Sequence, residues 1–470
     1  MTKPSQTSES KPVTDSHYPL RFRERIGYAS GDFACSMYWV VFAQFLMFFY
    51  TDIAGLPAAA VATMLAVTRL WDAINDPAMG LLADRTKSRH GKYRPWLIWM
   101  IAPMLVTGVL IFTIPDGSMV VKMIYAYITY TLVGMVYTSI NLPYAALMGV
   151  MTSNSKERTA LASFRYIGGF TGNLLPQLSI FALVAFIGKG NDQFGYAGAM
   201  ACYGILAGLL LVFAFKSTRE RVVVPQEAAS GSIKSDFGYL FRNLPWVILA
   251  LVGVLTLVWI SIRGAATIYY FKYYVGDQAL AATFLASGTA AAMGGIACTK
   301  YFVQLLGDKR RAYLVVNFLA GITAAVFYFV GPEDIALMFT LQIVGSFLLG
   351  PLMPLMFALY ADAADYGEWK FRRRTTGLIF ASGTSAIKIG WTFGGSIGGW
   401  VLASYGYQAN VEQDVEALQG MRALMSWIPA LFAFAAMILA FFYPINAKLE
   451  ATMARDLAKR RASEAISDPT

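Results

Sequence analysis

Asp72 and Asp76 lie one helical turn apart inside an apolar run that begins near Pro57. A helix carries positions i and i+4 on one face. Carboxylates within hydrocarbon are costly unless they face a cation, a positive partner or a wet cavity. A packing pair needs one acid and one base, whereas two acids at this spacing want a cation or a shared proton. Asn75 between them and Thr138 on a later apolar run add hard oxygen donors. Asp72, Asn75, Asp76 and Thr138 therefore form a candidate cation site. Na+ held at Asp72 and Asp76 and a proton shared between the neighbouring carboxylates are both open.

A second set suits a polyhydroxylated guest. Asp32, Asn141 and Arg165 supply acceptors and donors of the kind a sugar's hydroxyls require, and Trp39, seven residues after Asp32, offers an apolar face for a ring. The alternative for an aromatic in such a run is packing, and for a buried arginine such as Arg69 or Arg263 a structural ion pair. Lys388 is long enough to bring its charge towards the carboxylates at 72 and 76 and so compensate them when no cation is bound; its alternative is snorkelling to an interface. Asp84, Arg85, Arg158, Asp362, Asp365, Glu368 and Arg372 to Arg374 crowd one set of loops. They are expected to form a gate of breakable salt bridges, against the alternative of a solvated charged face worth little per pair.

The elements that must position these residues follow from composition. Of 470 residues 57% are hydrophobic and 14% charged, against about 25% charged in soluble domains. Runs long enough to span a bilayer, about 20 residues, fall near 28–50, 57–83, 95–115, 119–150, 160–188 and 194–216, then near 245–274, 278–306, 311–331, 334–361, 375–404 and 421–444. This gives a tail over 1–27, a six-helix bundle over 28–216, a polar linker over 217–244, a second bundle over 245–444 and a charged tail over 445–470. No cleavable signal peptide is expected. The net charge of +10 sits in short loops rather than on one soluble face, which argues against nucleic acid. Arg85, Lys87, Arg89, Lys92 and Arg94 share one set of loops with Lys309 to Arg311, while Asp52, Asp116, Asp192, Asp277, Glu333 and Asp334 mark the other set. By the positive-inside rule both termini are cytoplasmic. Cys35, Cys202 and Cys298 lie in apolar runs without metal-ligand spacing. Gly168, Gly169 and Gly172, and Gly390, Gly394, Gly395, Gly398 and Gly399, mark where helices approach closely.

Six spans, a linker and six spans is the layout of the major facilitator superfamily. WDAINDPAMG followed by DRTKSRHGKYRPW, and ADAADYGEWKFRRRTTGLIFASGTSAIKIG, resemble the two signatures of the glycoside-pentoside-hexuronide:cation symporters. GDFACSMYW, NLPYAAL, SFRYIGGF and YYFKYYVG look like further landmarks, so the likeness covers nearly the whole chain. The resemblance implies an all-α membrane protein of major facilitator fold, with cation ligands at Asp72, Asn75, Asp76 and Thr138. It implies sugar contacts at Asp32, Arg165, Thr384 and Lys388, and inner-gate charges at Arg158, Asp362, Asp365 and Arg374. The family's melibiose carrier has an aspartate at the position of Asn141 and a tryptophan at that of Ala145. The Asn-x-Pro-Tyr form here is more similar to relatives that carry glucuronides, pentosides or xylosides.

The expectation is a monomeric multi-pass importer in a bacterial inner membrane, moving a sugar or glycoside with Na+ or H+ and using no other cofactor. The rivals are a carrier of lipids or other amphiphiles, which predicts a lateral apolar cleft, and a non-transporting sugar sensor, for which no signalling domain is present. An enzyme is not expected: no nucleophile–base constellation appears, and His17 and His90 lie in a tail and a loop.

Overall fold

The computed structural model describes residues 20–152, 154–221, 238, 240–372 and 376–467; within the helices, the side chains of residues 70, 72–74, 155, 156, 159, 376, 377, 380, 381, 384 and 461–467 are not described. Among the described residues the chain is helical, with no strand. The helices are α1 Phe22–Phe48, α2 Ala58–Arg85, α3 Arg94–Trp99, α4 Ile101–Leu110, α5 Met119–Met151, α6 Ser155–Gly188 and α7 Asp192–Ser217. They are followed by α8 Leu244–Tyr269, α9 Ala279–Ala297, α10 Thr299–Leu306, α11 Lys309–Val326, α12 Ile335–Leu349, α13 Leu352–Phe371, α14 Thr376–Ser404, α15 Val415–Met425, α16 Trp427–Phe441 and α17 Ala447–Ser467. Nine helices are long and apolar enough to cross a membrane among the described residues. The other expected spans are helical too: α2, continuous from Ala58 to Arg85; α3 with α4, interrupted at Met100; and α14.

Helix ends follow local chemistry. Asn191 accepts the Phe194 amide at 3.0 Å to start α7. Asp308 accepts that of Arg311 at 2.6 Å to start α11. Gly276 and Gly307 adopt φ of 85° and 86° where their segments stop, a conformation open to glycine at little cost. Several helices outrun their apolar stretches. α1 begins at Phe22 and is prolonged by a π-helical turn, Phe49–Ile53, while α12 and α13 carry the span expected over 334–361 on to Phe371. Charged residues at the basic end continue the backbone hydrogen bonding while their side chains leave the apolar zone, so hydropathy stops short of the helix.

The glycines set the packing. A Cβ on Gly168 or Gly172 of α6 would lie 2.3 Å from Ala29 O or 2.4 Å from Phe33 O of α1. The second bundle repeats this: a Cβ on Gly390 or Gly394 of α14 would lie 2.6 Å from Val254 O or 2.5 Å from Val258 O of α8. Small residues thus let α1 and α6, and α8 and α14, touch backbone to backbone. Between the bundles α2 packs on α14, α6 on α9 and α1 on α8. α17 lies against α13, where Trp369 Nε1 donates to Asp456 Oδ2 at 3.0 Å.

Candidate cation and substrate site

α2 is continuous through residues 72–76, which fixes positions 72 and 76 one turn apart on one face. The side chain of Asp72 lies outside the described residues. Pro77 follows immediately inside the helix; lacking an N–H, it leaves the Ala73 carbonyl without its helical donor. Pro143 does the same to Ser139 in α5, two residues beyond Asn141. Both candidate sets therefore sit beside loosened helix turns.

Asp76 is the junction. Thr138 Oγ1 on α5 donates to Asp76 Oδ1 at 3.0 Å. Lys388 Nζ on α14 contacts Asp76 Oδ2. One carboxylate thus joins two helices of the first bundle to one of the second. Asn75 Nδ2 is buried with no hydrogen-bond partner among the described residues. Lys388 keeps 56% of its side chain exposed.

The second set gathers one layer away. Arg165 Nε on α6 donates to Asp32 Oδ1 on α1 at 2.9 Å, and the guanidinium lies 5.5 Å from the centre of the Tyr144 ring. A Cβ on Gly169 would come within 2.5 Å of Asp32 Oδ2, so glycine there makes room for the carboxylate. Asn141 Nδ2 donates to the Tyr137 hydroxyl at 3.1 Å. Trp39 is half-buried: the Arg69 guanidinium stands 4.3 Å from its ring centre and the Tyr137 ring 4.9 Å away. Trp39 and Arg69 also border a small hollow with Phe42, Thr68, Tyr130 and Val133. The Thr384 side chain lies outside the described residues. Tyr144 closes the Asn-x-Pro-Tyr motif, whereas Tyr137 looks like packing in an apolar run and its only sequence signal is its place one turn before Asn141.

At the basic end, the described ion pairs stay within each bundle and its own flanking segments. Arg25 meets Glu157 at 2.9 Å, and Arg221 meets Glu24. Lys309 Nζ lies 2.7 Å from the Asp362 carboxylate and 2.9 Å from Glu450 Oε1 on α17. Tyr93 donates to Asp84 Oδ1 at 2.7 Å; burial pushes its phenol up, and Asp84 pushes the same way. Glu220 accepts the amides of Lys92, Tyr93 and Arg94 at 2.8, 2.8 and 2.9 Å, pinning the loop before α3. Arg85 and Arg158 are exposed and Asp365 is half-buried. Arg374 lies outside the described residues.

Two bundles of long apolar helices, with ionisable residues meeting where the bundles face each other, define a secondary transporter. Residues 27–447 match the model of the MFS/sugar transport protein family. The chain belongs to this family, within its glycoside-pentoside-hexuronide:cation symporters, and is a multi-pass membrane transporter rather than an enzyme. It is 37% identical to the putative glycoside/cation symporter YagG of Escherichia coli (strain K12) over 454 residues, covering 96% of this chain and 98% of that one. It is 31% identical to the isoprimeverose transporter of Lactiplantibacillus pentosus over 98% of both chains. Among solved structures, a bacterial homolog of the human lysosomal transporter Spinster shares the fold, with a TM-score of 0.67 at 12% identity over 90% of this chain and 98% of that one.

Proposed function

We propose that this chain imports a sugar or glycoside together with Na+ or H+ by alternating access across a bacterial inner membrane. The observation that carries the reading is the Asp76 junction. A carboxylate that binds Thr138 from its own bundle and Lys388 from the other can report cation occupancy across the interface. In this reading Lys388 compensates Asp76 when the cation is absent. The cation takes oxygen from Asp72, Asn75, Asp76 and Thr138, and its arrival releases the ammonium. Asp32, Trp39, Asn141, Arg165, Thr384 and Lys388 hold the sugar, with Tyr137 orienting Asn141. If cation binding favours the sugar-ready state, linkage makes the sugar favour the cation equally. The membrane potential contributes about 2.3 kcal/mol per positive charge per 100 mV.

Residues 1–27 and 445–470 are cytoplasmic tails, 28–216 and 245–444 are six-span bundles, and 217–244 is a cytoplasmic linker; the basic end faces the cytoplasm. Asp84, Arg85, Arg158, Asp362, Asp365 and Arg374 close that end when the acidic end opens. The protein works as a monomer. The names of the relatives favour glycosides: one is a glycoside/cation symporter and another carries isoprimeverose. The test is uptake into vesicles against a panel of glycosides, pentosides and uronides under imposed Na+ or pH gradients. Accumulation that follows one gradient identifies the ion; no substrate accumulating under either gradient overturns the reading.

A further inference from the structure

Among the described residues, hydrogen bonds between the two bundles cluster at the acidic end, around Asp52. Its carboxylate is buried, with 1% of the side chain exposed, and lies 2.7 Å from Lys272 Nζ, which is 23% exposed. Tyr273 donates to the same oxygen, Oδ1. Oδ2 accepts from the Tyr407 hydroxyl at 2.5 Å and from Thr51 Oγ1 at 2.7 Å. The backbone carbonyl of Asp52 accepts from Asn410 Nδ2, whose Oδ1 in turn accepts from Lys272 at 2.7 Å. Thr51 also meets the Tyr269 hydroxyl at 2.8 Å. Except for Thr51, every donor to Asp52 comes from the second bundle or from the loop after α14. Tyr407 stands in that loop, and burial pushes its phenol up, as do Tyr269 and Asp52 beside it, so it donates as a neutral hydroxyl.

The two segments are alike in sequence length and in local conformation. Phe48 to Gly55 and Tyr269 to Gly276 have the same length and the same ending. Both run through a π-helical turn, Phe49–Ile53 and Tyr270–Val275, to a glycine at positive φ. Such turns inside α-helices occur frequently at functional sites. In this register Thr51 corresponds to Lys272 and Asp52 to Tyr273. The two helix ends approach one another and are complementary, an acid on one side and a base with phenols on the other. Away from Asp52, hydrogen bonds between the bundles on this side of the site are fewer among the described residues. They are Trp400 Nε1 to Thr63 Oγ1 at 3.1 Å and Thr289 Oγ1 to Gln177 Oε1 at 2.9 Å.

We infer that Asp52 is a positioning residue that holds the acidic end shut, and that its bonds to Lys272, Tyr273, Tyr407 and Asn410 must break each time substrate enters from that side. The inference rests on the alternating-access reading. A buried ion pair contributes little net stability against an apolar replacement, but removing one partner strands a buried charge. The closed and open forms here are two arrangements of one packed interface, the usual form of such switches.

The test measures the opening directly. Spin labels at Asp116→Cys and Glu333→Cys, exposed positions in loops of the two bundles at this end, report its width by pulsed electron resonance. Cys35, Cys202 and Cys298 are replaced by alanine, and the protein is studied in lipid nanodiscs without sugar. Tyr407→Phe keeps the ring and removes one hydrogen bond, and is expected to raise the ratio of long to short distances about fivefold. Lys272→Gln strands the carboxylate and is expected to raise the ratio about tenfold or more. Adding Asp52→Asn to Lys272→Gln should return part of that shift, because no unpaired charge is left; a purely structural contact would instead lose further stability. Distance distributions unchanged in both Tyr407→Phe and Lys272→Gln overturn the inference. Shifted distances in a protein whose wild type accumulates no sugar would retain the latch and remove the transport reading, so the two failures are distinguishable.

Discussion

Lys388→Ala should tighten cation binding measured without sugar, although it is expected to impair concentrative uptake. Lys388 Nζ rests on Asp76 Oδ2, so an arriving cation must displace it. Two unit charges about 4 Å apart attract by about 4 kcal/mol at an effective dielectric of about 20. Here the Asp76 side chain is 19% exposed and that of Lys388 56%. The pair is therefore partly exposed, and exposed pairs contribute about 0–1 kcal/mol. Taking about 1 kcal/mol, removal of the competitor should strengthen cation affinity about fivefold. Lys388→Arg, which keeps the charge, should leave the affinity low. Isothermal titration of the sugar-free protein with Na+, or a pH titration if Na+ gives no heat, reads the change. Unaltered or weakened affinity in Lys388→Ala would refute competition at Asp76 and remove Lys388 from the coupling scheme.

Other perturbations follow from the same geometry. Asp76→Asn should abolish accumulation against a gradient while leaving downhill sugar exchange measurable; full accumulation would remove Asp76 from the cation site. Asn141→Ala takes away a polar group one turn from Tyr137 and should weaken sugar affinity by about 1 kcal/mol, with cation binding spared; a sugar titration that does not move excludes Asn141 from the pocket. Gly169→Ala should push against Asp32, whose Oδ2 would lie 2.5 Å from the new methyl, and so raise the sugar KM more than it lowers the melting temperature. Gly172→Val sets a side chain against the Phe33 carbonyl, which a Cβ would approach to 2.4 Å. It should cost about 1–3 kcal/mol of stability, and a melting temperature equal to wild type would show that α1 and α6 can part without loss.

The fold class was legible in the sequence because the bilayer imposes a simple rule: a segment long and apolar enough must close its backbone hydrogen bonds as a helix. Apolar runs separated by charged loops therefore gave the helices, and the signatures around Trp71 to Trp96 and Ala361 to Gly390 gave the family. Helix ends were less legible, since charged residues such as those of α13 remain helical after the apolar stretch has ended. Spacing placed Asp72 and Asp76 on one face, because i and i+4 is a property of a single helix. Contacts between helices carry no such local code. That Asp76 meets Lys388 across 312 positions, and that the Trp39 ring lies against Arg69 and Tyr137, follow from how two bundles dock. Asp52 illustrates the limit most clearly. On paper it is one of several acids at a span's end, equivalent to Asp116 or Asp192. Packing alone removes it from water and surrounds it with Lys272, Tyr273 and Tyr407, because only the assembled interface can supply donors that lie more than two hundred residues away.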